Sequence, residues 1–367
     1  MNLLAAILVV TALLGSATPA LAAQTKPAWQ QEWEKTLELA KKEGQVTVYI
    51  SGYEAVLPDF EKEFPAIKVV TVTGRGSQLG QRLLSERRAE KYIADVVSAG
   101  ANPNYQQFHP AKALDPIKPV LMLPEVTDQT KWYLKRHQYS DPEGQYVFNY
   151  VGSATYGAVN YNTKLVDVKE FKSYWDLLNP RWKGKIVAID PNESAGGWRA
   201  LYYKPSVGAE FLKRLFADLD ITPTREDRQA ADWLATGKFA LGLFVTGVPE
   251  AKAQGLPVDE FRDANFKEPP SLDTGANGTI VLLKQAPHPN AAKVFINWFL
   301  SREGQSLYQE VMNTRFDYVE SMREDIAKES IPAEYRRRKG VKYVNMFVPE
   351  HMDPSPLLKL YKDIMKR

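Results

Sequence analysis

Residues 156–197 read YGAVNYNTKLVDVKEFKSYWDLLNPRWKGKIVAIDPNESAGG, and the punctuation of this stretch decides the fold class. Gly157–Tyr161 is a short β-prone run, after which Asn162 and Thr163 start a polar helical turn. Trp175-Asp-Leu-Leu is an aromatic helical segment stopped by Asn179-Pro180, and Lys183-Gly184-Lys185 reads as a turn. Ile186–Ile189 is an unbroken apolar run, the pattern of a strand buried on both faces. Asp190-Pro191 ends it, because the residue before a proline is pushed out of the helical region. Asn192-Glu193-Ser194 with Gly196-Gly197 then reads as a loop that opens a helix.

The chain on either side repeats the alternation. Trp29, Trp33, Leu37 and Ala40 recur at helical spacing, and Lys41-Lys42 followed by Gly44 suits a helix end. Val46–Ile50 reads as a strand, then a helix through Phe60 and Phe64 and a strand at Ile67–Thr71. A helix with Leu79, Leu83 and Leu84 on its apolar side leads to a third strand, Ile93–Ser98. Further on come helices through Phe211–Phe216 and Ala230–Leu234, and strands at Phe239–Val245 and Gly278–Leu283. Ala291, Val294, Phe295, Trp298 and Phe299 form one apolar helix face. This order predicts an α/β protein of mostly parallel sheets flanked by helices. Breaker-rich segments place two chain crossings, near Tyr146–Gly152 and Pro269–Gly278. They predict one lobe from 23–146 with 276–367 and a second from 147–275, joined by a hinge. The tail beyond Met312, with its basic cluster Arg336–Lys339, has no lobe assigned by its pattern.

Several strings resemble a known family. Tyr161-Asn162, Leu165-Val166, Trp175–Pro180, Trp182–Ile186 and Asp190-Pro191 are similar to the ferric-ion-type periplasmic solute-binding proteins of ABC importers. Ala286–Ala292 and Phe299–Gln305 resemble a second block of that family. The resemblance implies a type II periplasmic-binding fold of two lobes, a small-molecule solute, ABC permease membrane subunits as partners, and no catalysis.

Bulk properties agree with an exported binding protein. Residues 2–22 carry no charged side chain, Leu3–Leu14 is apolar but too short to span a bilayer comfortably, and Ala20-Leu-Ala22 fits a cleavage site. This predicts a signal peptide over residues 1–22, cut before Ala23, and a periplasmic location; an uncleaved anchor is the alternative. The chain has no cysteine, which removes disulfides, thiol catalysis and a lipoprotein anchor. A net charge of +3 is far from a nucleic-acid footprint, and a hydrophobic content of 44% is ample for two cores. His109, His137, His288 and His351 have no partners at motif spacing, and no G-x-S-x-G, H-E-x-x-H or phosphate-binding loop occurs. The reading is therefore a monomeric binding protein without cofactor or bound metal, with a secreted enzyme on the same scaffold as the other class.

Ligands of open α/β sheets sit beyond the carboxyl ends of strands. That rule selects five loops and, within them, Ser51, Tyr53, Arg75, Gly76, Ser77, Ala99, Asn102, Asn192, Ser194, Gly196, Gly197, Trp198 and Thr246. Arg199, one turn into the helix after Asn192, and Tyr156 join them. The segment Met312–Asp317 is similar to a family segment that reaches the cleft, which adds Arg315. A guanidinium grips carboxylate or phosphate bidentately, so Arg75 in its glycine-flanked loop predicts an anionic organic solute. Ferric ion with a synergistic anion is the alternative. The family holds iron with adjacent tyrosines in the loop after a second-lobe strand, whereas Phe239–Val245 is followed by Thr246-Gly-Val-Pro249. Tyr202-Tyr203 is adjacent but falls within a helix, where neighbours diverge by about 100°.

Overall fold

The computed structural model describes residues 26–154, 159–261, 266–275 and 277–365, so the N-terminal stretch expected to be a signal peptide and Tyr156 lie outside the described residues. Helix α1 (Ala28–Glu43) ends on Gly44, whose left-handed φ of 73° is the conformation glycine adopts without steric cost. Strand β1 (Gln45–Ile50) follows, then α2 (Leu57–Glu63), β2 (Lys68–Thr73), α3 (Gly76–Arg88) and β3 (Val96–Ala99). A single π-helical turn spans Asn102–Phe108, and short pieces β4 (Leu114–Asp115), α4 (Pro124–Thr127), β5 (Gln138–Tyr139) and β6 (Phe148–Asn149) complete the first passage.

The second sheet is built from β7 (Val159–Asn162), β8 (Ile186–Ile189), β9 (Thr222–Thr224), β10 (Leu241–Leu243) and β11 (Val258–Phe261). Its helices are α5 (Gly196–Tyr202), α6 (Gly208–Asp218), α7 (Asp227–Ala235) and α8 (Val248–Ala253). The segment around Trp175 is a 3-10 turn at Tyr174–Leu178, tightened by Ser173, whose hydroxyl accepts from the amide of Trp175. The chain then returns through β12 (Ser271–Leu272) to β13 (Thr279–Leu283), α9 (Pro289–Leu300) and α10 (Arg302–Thr314). Strand β14 (Val344–Asn345) and α11 (Ser355–Met365) end it.

The first sheet runs β2-β1-β3-β13-β6-β5, with β4 also on β13, and the second runs β11-β7-β10-β8-β9. In each, the strands joined by helices pair in parallel, and those that arrive from or leave for the other sheet pair antiparallel. A crossover helix returns the chain to the same end of a sheet, whereas a chain coming back from the other lobe enters from the opposite end. Alternate side chains serve opposite faces. Val48 and Ile50 join the core under α1 and α9, while Tyr49 joins that under α3. Ile186 and Ala188 face α6, while Val187 and Ile189 face α7. Each sheet is thus covered on both sides, which is why its strands read as continuous apolar runs. The result is a two-lobed mixed α/β fold.

The chain leaves the first sheet after Asn149 and enters the second at Val159, and it returns between Phe261 and Thr279. The two passages touch as an antiparallel bridge, Ser153 to Asp273. The tail laces onto both: Ser321 bridges Val151, and β14 pairs in parallel with β12. Its terminal helix α11 then places Leu357 and Tyr361 in the core of the second lobe. A further tail contact is Tyr335, whose hydroxyl donates to Glu260 Oε1 at 2.9 Å. Burial, with Asp259 beside it, pushes the Glu260 carboxyl up to about 8. The folded form therefore holds a proton that the unfolded chain releases near 4.5, and stability falls as pH rises from about 4.5 to about 8. Glu260→Gln should flatten that part of the curve of unfolding free energy against pH measured in urea; an unchanged slope would rule this contribution out.

Candidate functional site

The strand ends of the first lobe carry the charge. Arg75 is exposed at the start of α3, where its backbone amide donates to Gln78 Oε1 at 3.1 Å, leaving the guanidinium to solvent. Ser77 on the first turn is also exposed, and Gly76 lies so close to Pro103 that an added Cβ would sit 3.1 Å from its Cγ. The first turn of a helix of this length has amides without intrahelical partners, and Arg75 is the N-cap residue beside them. Ser51 is half-buried and Asn102 exposed, while Ala99 is wholly buried as the last residue of β3. Arg315, exposed at the end of α10, donates to the carbonyl of Gly52 and so joins this group.

Tyr53 does not face the open side. It is fully buried, stacks on Phe299, and its hydroxyl meets Ser98 Oγ and, at 2.5 Å, the hydroxyl of Tyr150. Tyr150 in turn donates to the carbonyl of Asn277, whose side chain accepts from Tyr308 at 3.1 Å. Burial raises all three phenol pKa values well above the usual range, so the hydroxyls remain neutral donors. Tyr150 lies on the outgoing passage and Asn277 on the return, so this knot ties the ends of β1 and β3 to both crossings.

The second lobe offers neutral groups together with an exposed carboxylate, Glu193, between Asn192 and Ser194. Asn192, Ser194 and Thr246 are exposed beyond β8 and β10, with Asn192 folded back on Asp190 Oδ1 at 2.9 Å through its side chain. Gly196 is half-buried, and Gly197 is buried because the Phe244 ring fills the place any side chain there would need. Trp198 is core rather than a stacking surface: it is fully buried, and its indole N–H donates to the carbonyl of Ile189 at 2.8 Å. Arg199 is likewise a staple rather than a ligand clamp. Its guanidinium bonds the carbonyls of Met346 and His351 at 2.6 and 2.5 Å and pairs with Asp273 at 2.6 Å. Helix periodicity placed it near the loop but did not show that the tail occupies its face.

The pattern of the chain gave no reason to single out two other residues. Phe244, just past β10, has φ +60° and is partly buried, and Phe316 follows Arg315 with φ +58°, exposed. A bulky residue there is an outlier that costs about 1–3 kcal/mol. A phenylalanine at the end of an apolar run reads as core, so only backbone geometry reveals them. The tail brings the two lobes' loops near one another: Gln106, just past Asn102, donates to the carbonyl of Met352, while Tyr203 on the side of α5 donates to the carbonyl of Asp353 at 2.8 Å. Tyr203 is therefore engaged, and its ring stands 5.0 Å from Tyr202 at 81°. Among the described residues no group of three or more His, Cys, Asp or Glu side chains is placed to hold a metal ion. Two surface hollows of about 560 and 580 Å³ lie at the other end of the second sheet, around Glu170, Trp175 and Thr163, away from the strand ends just described.

Residues 43–306 match the family of bacterial extracellular solute-binding proteins. The chain belongs to that family. Solved structures with the same fold include the Trichodesmium protein IdiA (FutA) in complex with iron and citrate, at 20% identity and a TM-score of 0.62, covering 88% of this chain and 99% of that one. Iron-bound HitA from Pseudomonas aeruginosa aligns at 18% identity with a TM-score of 0.61, over 87% of this chain and 99% of that one. AfuA from Actinobacillus pleuropneumoniae, with fructose-6-phosphate bound, aligns at 18% and 0.61, over 88% and 98%. A curated relative of uncharacterised activity from Haemophilus influenzae is 28% identical over 45% of this chain, and the match spans about half of that relative, 48%.

In this solute-binding protein the Arg199–Asp273 pair is buried, with side-chain exposures of 11% and 4%. Removing one partner of such a pair strands the other charge and typically costs about 3–5 kcal/mol. Arg199→Ala should lower the urea unfolding free energy by at least about 3 kcal/mol, whereas Arg75→Ala should change it by under about 0.5 kcal/mol. Equal effects for the two variants would contradict the assignment of Arg199 as a staple.

Proposed function

We propose that this chain is the periplasmic solute-binding component of an ABC importer, exported by a cleaved signal peptide, acting as a monomer and passing its ligand to the permease subunits. It captures an organic anion, a carboxylate or phosphate, between its lobes, and hinge closure rather than chemistry is its output. The observation that carries the reading is the exposed Arg75 guanidinium above the first turn of α3. Helix-start amides contribute about 0.3–1 kcal/mol to an exposed anion and charge-assisted hydrogen bonds about 1.5–3 kcal/mol each, enough to orient the ligand. Arg315 adds a second cation, and Ser51, Ser77 and Asn102 add hydroxyl and amide groups on the same wall. Ser194 and Thr246 supply neutral donors from the opposite lobe. The AfuA structure, which holds a sugar phosphate in the same fold, supports an anion.

Iron is the second reading, favoured by the iron-bound relatives. Against it stand the absence of tyrosine after β10 and the engagement of Tyr203 with Asp353. The deciding experiment is mass spectrometry of the solute released from the purified protein, followed by calorimetry with it. An anion should bind, Arg75→Ala should weaken it at least tenfold, and small-angle scattering should show compaction. A cationic solute, an Arg75→Ala variant that binds like the parent, or a one-to-one sub-micromolar complex on titration with ferric citrate would each overturn the proposal.

A further inference from the structure

Nine described non-glycine residues lie in the left-handed region, and only two of them, Phe244 and Phe316, are aromatic. Phe244 is held there from below. Asn160, fully buried in the adjacent strand β7, accepts through Oδ1 from the amide of Val245 at 3.0 Å. The ring occupies the space above Gly197 and meets Trp198 at 4.8 Å and 63°. Leu241 and Leu243 are fully buried, and a side chain continuing their alternation would enter the opposite face of the sheet. The left-handed turn at Phe244 breaks that alternation and leaves the ring half-exposed at the carboxyl end of the sheet's central strand. Thr246, exposed, follows on the same loop, and exposed Ser194 lies on the loop after the neighbouring strand β8. Phe244 also packs against both hydrophobic clusters of the second lobe, but core packing alone does not require a strained backbone or a residue left partly exposed. Strain of this kind persists where the surroundings over-determine it, and it concentrates at ligand clamps.

We propose that the open face of Phe244 is a stacking platform in the solute cleft, and that the solute is an organic anion bearing a ring, either a sugar or an aromatic ring. The anionic group faces Arg75 and the first turn of α3, and the ring lies against Phe244, so each lobe reads one half of the ligand. Aromatic faces pair with rings in offset or edge geometry, and a bare oxyanion offers nothing to such a surface. The inference rests on the anion reading above, and its test separates the two.

Calorimetry would compare phenyl phosphate and glucose 6-phosphate with inorganic phosphate, and benzoate with acetate, on the parent, Phe244→Tyr, Phe244→Leu and Phe244→Ala. Thermal melts would establish that each variant is folded. At least one ring-bearing probe should bind the parent tenfold or more tightly than its ring-free counterpart and quench Trp198, which the Phe244 ring touches. Phe244→Tyr should keep that advantage, while Phe244→Leu and Phe244→Ala should lose it and retain affinity for the ring-free anion. Which ring probe gains tells a sugar from an aromatic ligand. Ring-bearing and ring-free anions bound equally by the parent, or an advantage that survives in Phe244→Leu, would overturn the platform and leave the anion reading standing. A parent that binds none of the probes would overturn both.

Discussion

The two strands of chain that pass between the lobes are fastened to each other, and the rest of the molecule depends on that waist. Ser153 and Asp273 pair across it, Val151 takes Ser321 from the tail, and β12 takes β14. Beneath it the hydroxyls of Tyr53 and Ser98 bond that of Tyr150, which donates to the carbonyl of Asn277. These groups are fully or almost fully buried, and a buried donor or acceptor left without its partner costs about 1–3 kcal/mol. Separating the passages therefore breaks several bonds at once with no water to replace them. The same constraint unites the first lobe. Strand β13 sits between β3 and β6, so the middle of that sheet closes only after the chain has been through the second lobe and come back. Such pairing at long sequence separation has to wait for loop closure, which slows the completion of that sheet.

The tail turns the waist into a strap. From α10 it follows the outgoing passage, where Arg337 donates to the carbonyl of Gly152 at 2.7 Å and pairs with Glu320 at 3.2 Å. It then crosses to the return passage at β14, accepts the guanidinium of Arg199 through Met346 and His351, and docks α11 on the second lobe. Arg199 is a hub of this arrangement, since its one guanidinium joins α5, the tail and Asp273. A guanidinium suits the role because its planar fork donates in several fixed directions, which an ammonium cannot do.

Those features that live in local pattern were legible in the sequence. The four-residue apolar run Ile186–Ile189 is a strand with those ends, and Gly44 caps α1 in the left-handed conformation its position suggested. The alternation of elements gave the fold class, and punctuation by Pro and Gly marked where strands stop. Strand ends drifted by up to three residues where polar and apolar residues mix: Ile93–Ser98 proved to be Val96–Ala99, and Phe239–Val245 narrowed to Leu241–Leu243. What pattern could not reveal is which face of a loop residue the distant chain covers. Tyr53 and Trp198 sit at strand ends yet are core, because α9 and α6 reach over them. Arg199 looks like a cleft cation until residues some 150 positions later are seen to wrap it. The left-handed turn at Phe244 has no composition signal, since the residue that demands it is not a glycine.

With Arg199 neutralised inside the structure, the charge near the strand ends is unequal between the lobes. Arg75 and Arg315 lie at the first lobe's strand ends with Glu54 also exposed there, whereas the second lobe presents Ser194, Thr246, the partly exposed Phe244 and the carboxylate of Glu193. The two walls therefore act at different ranges. Attraction to a cation extends over roughly a Debye length, about 8 Å at physiological ionic strength, so in the proposed mechanism an anion meets the first lobe before the lobes close. Hydroxyl and ring contacts need touching distance and in that mechanism form on closure. A ligand with the right charge and the wrong body would thus dock on one wall without drawing the other onto it. Discrimination then comes from the closing step, since a ligand shifts the open–closed balance only by the contacts it makes better in the closed form.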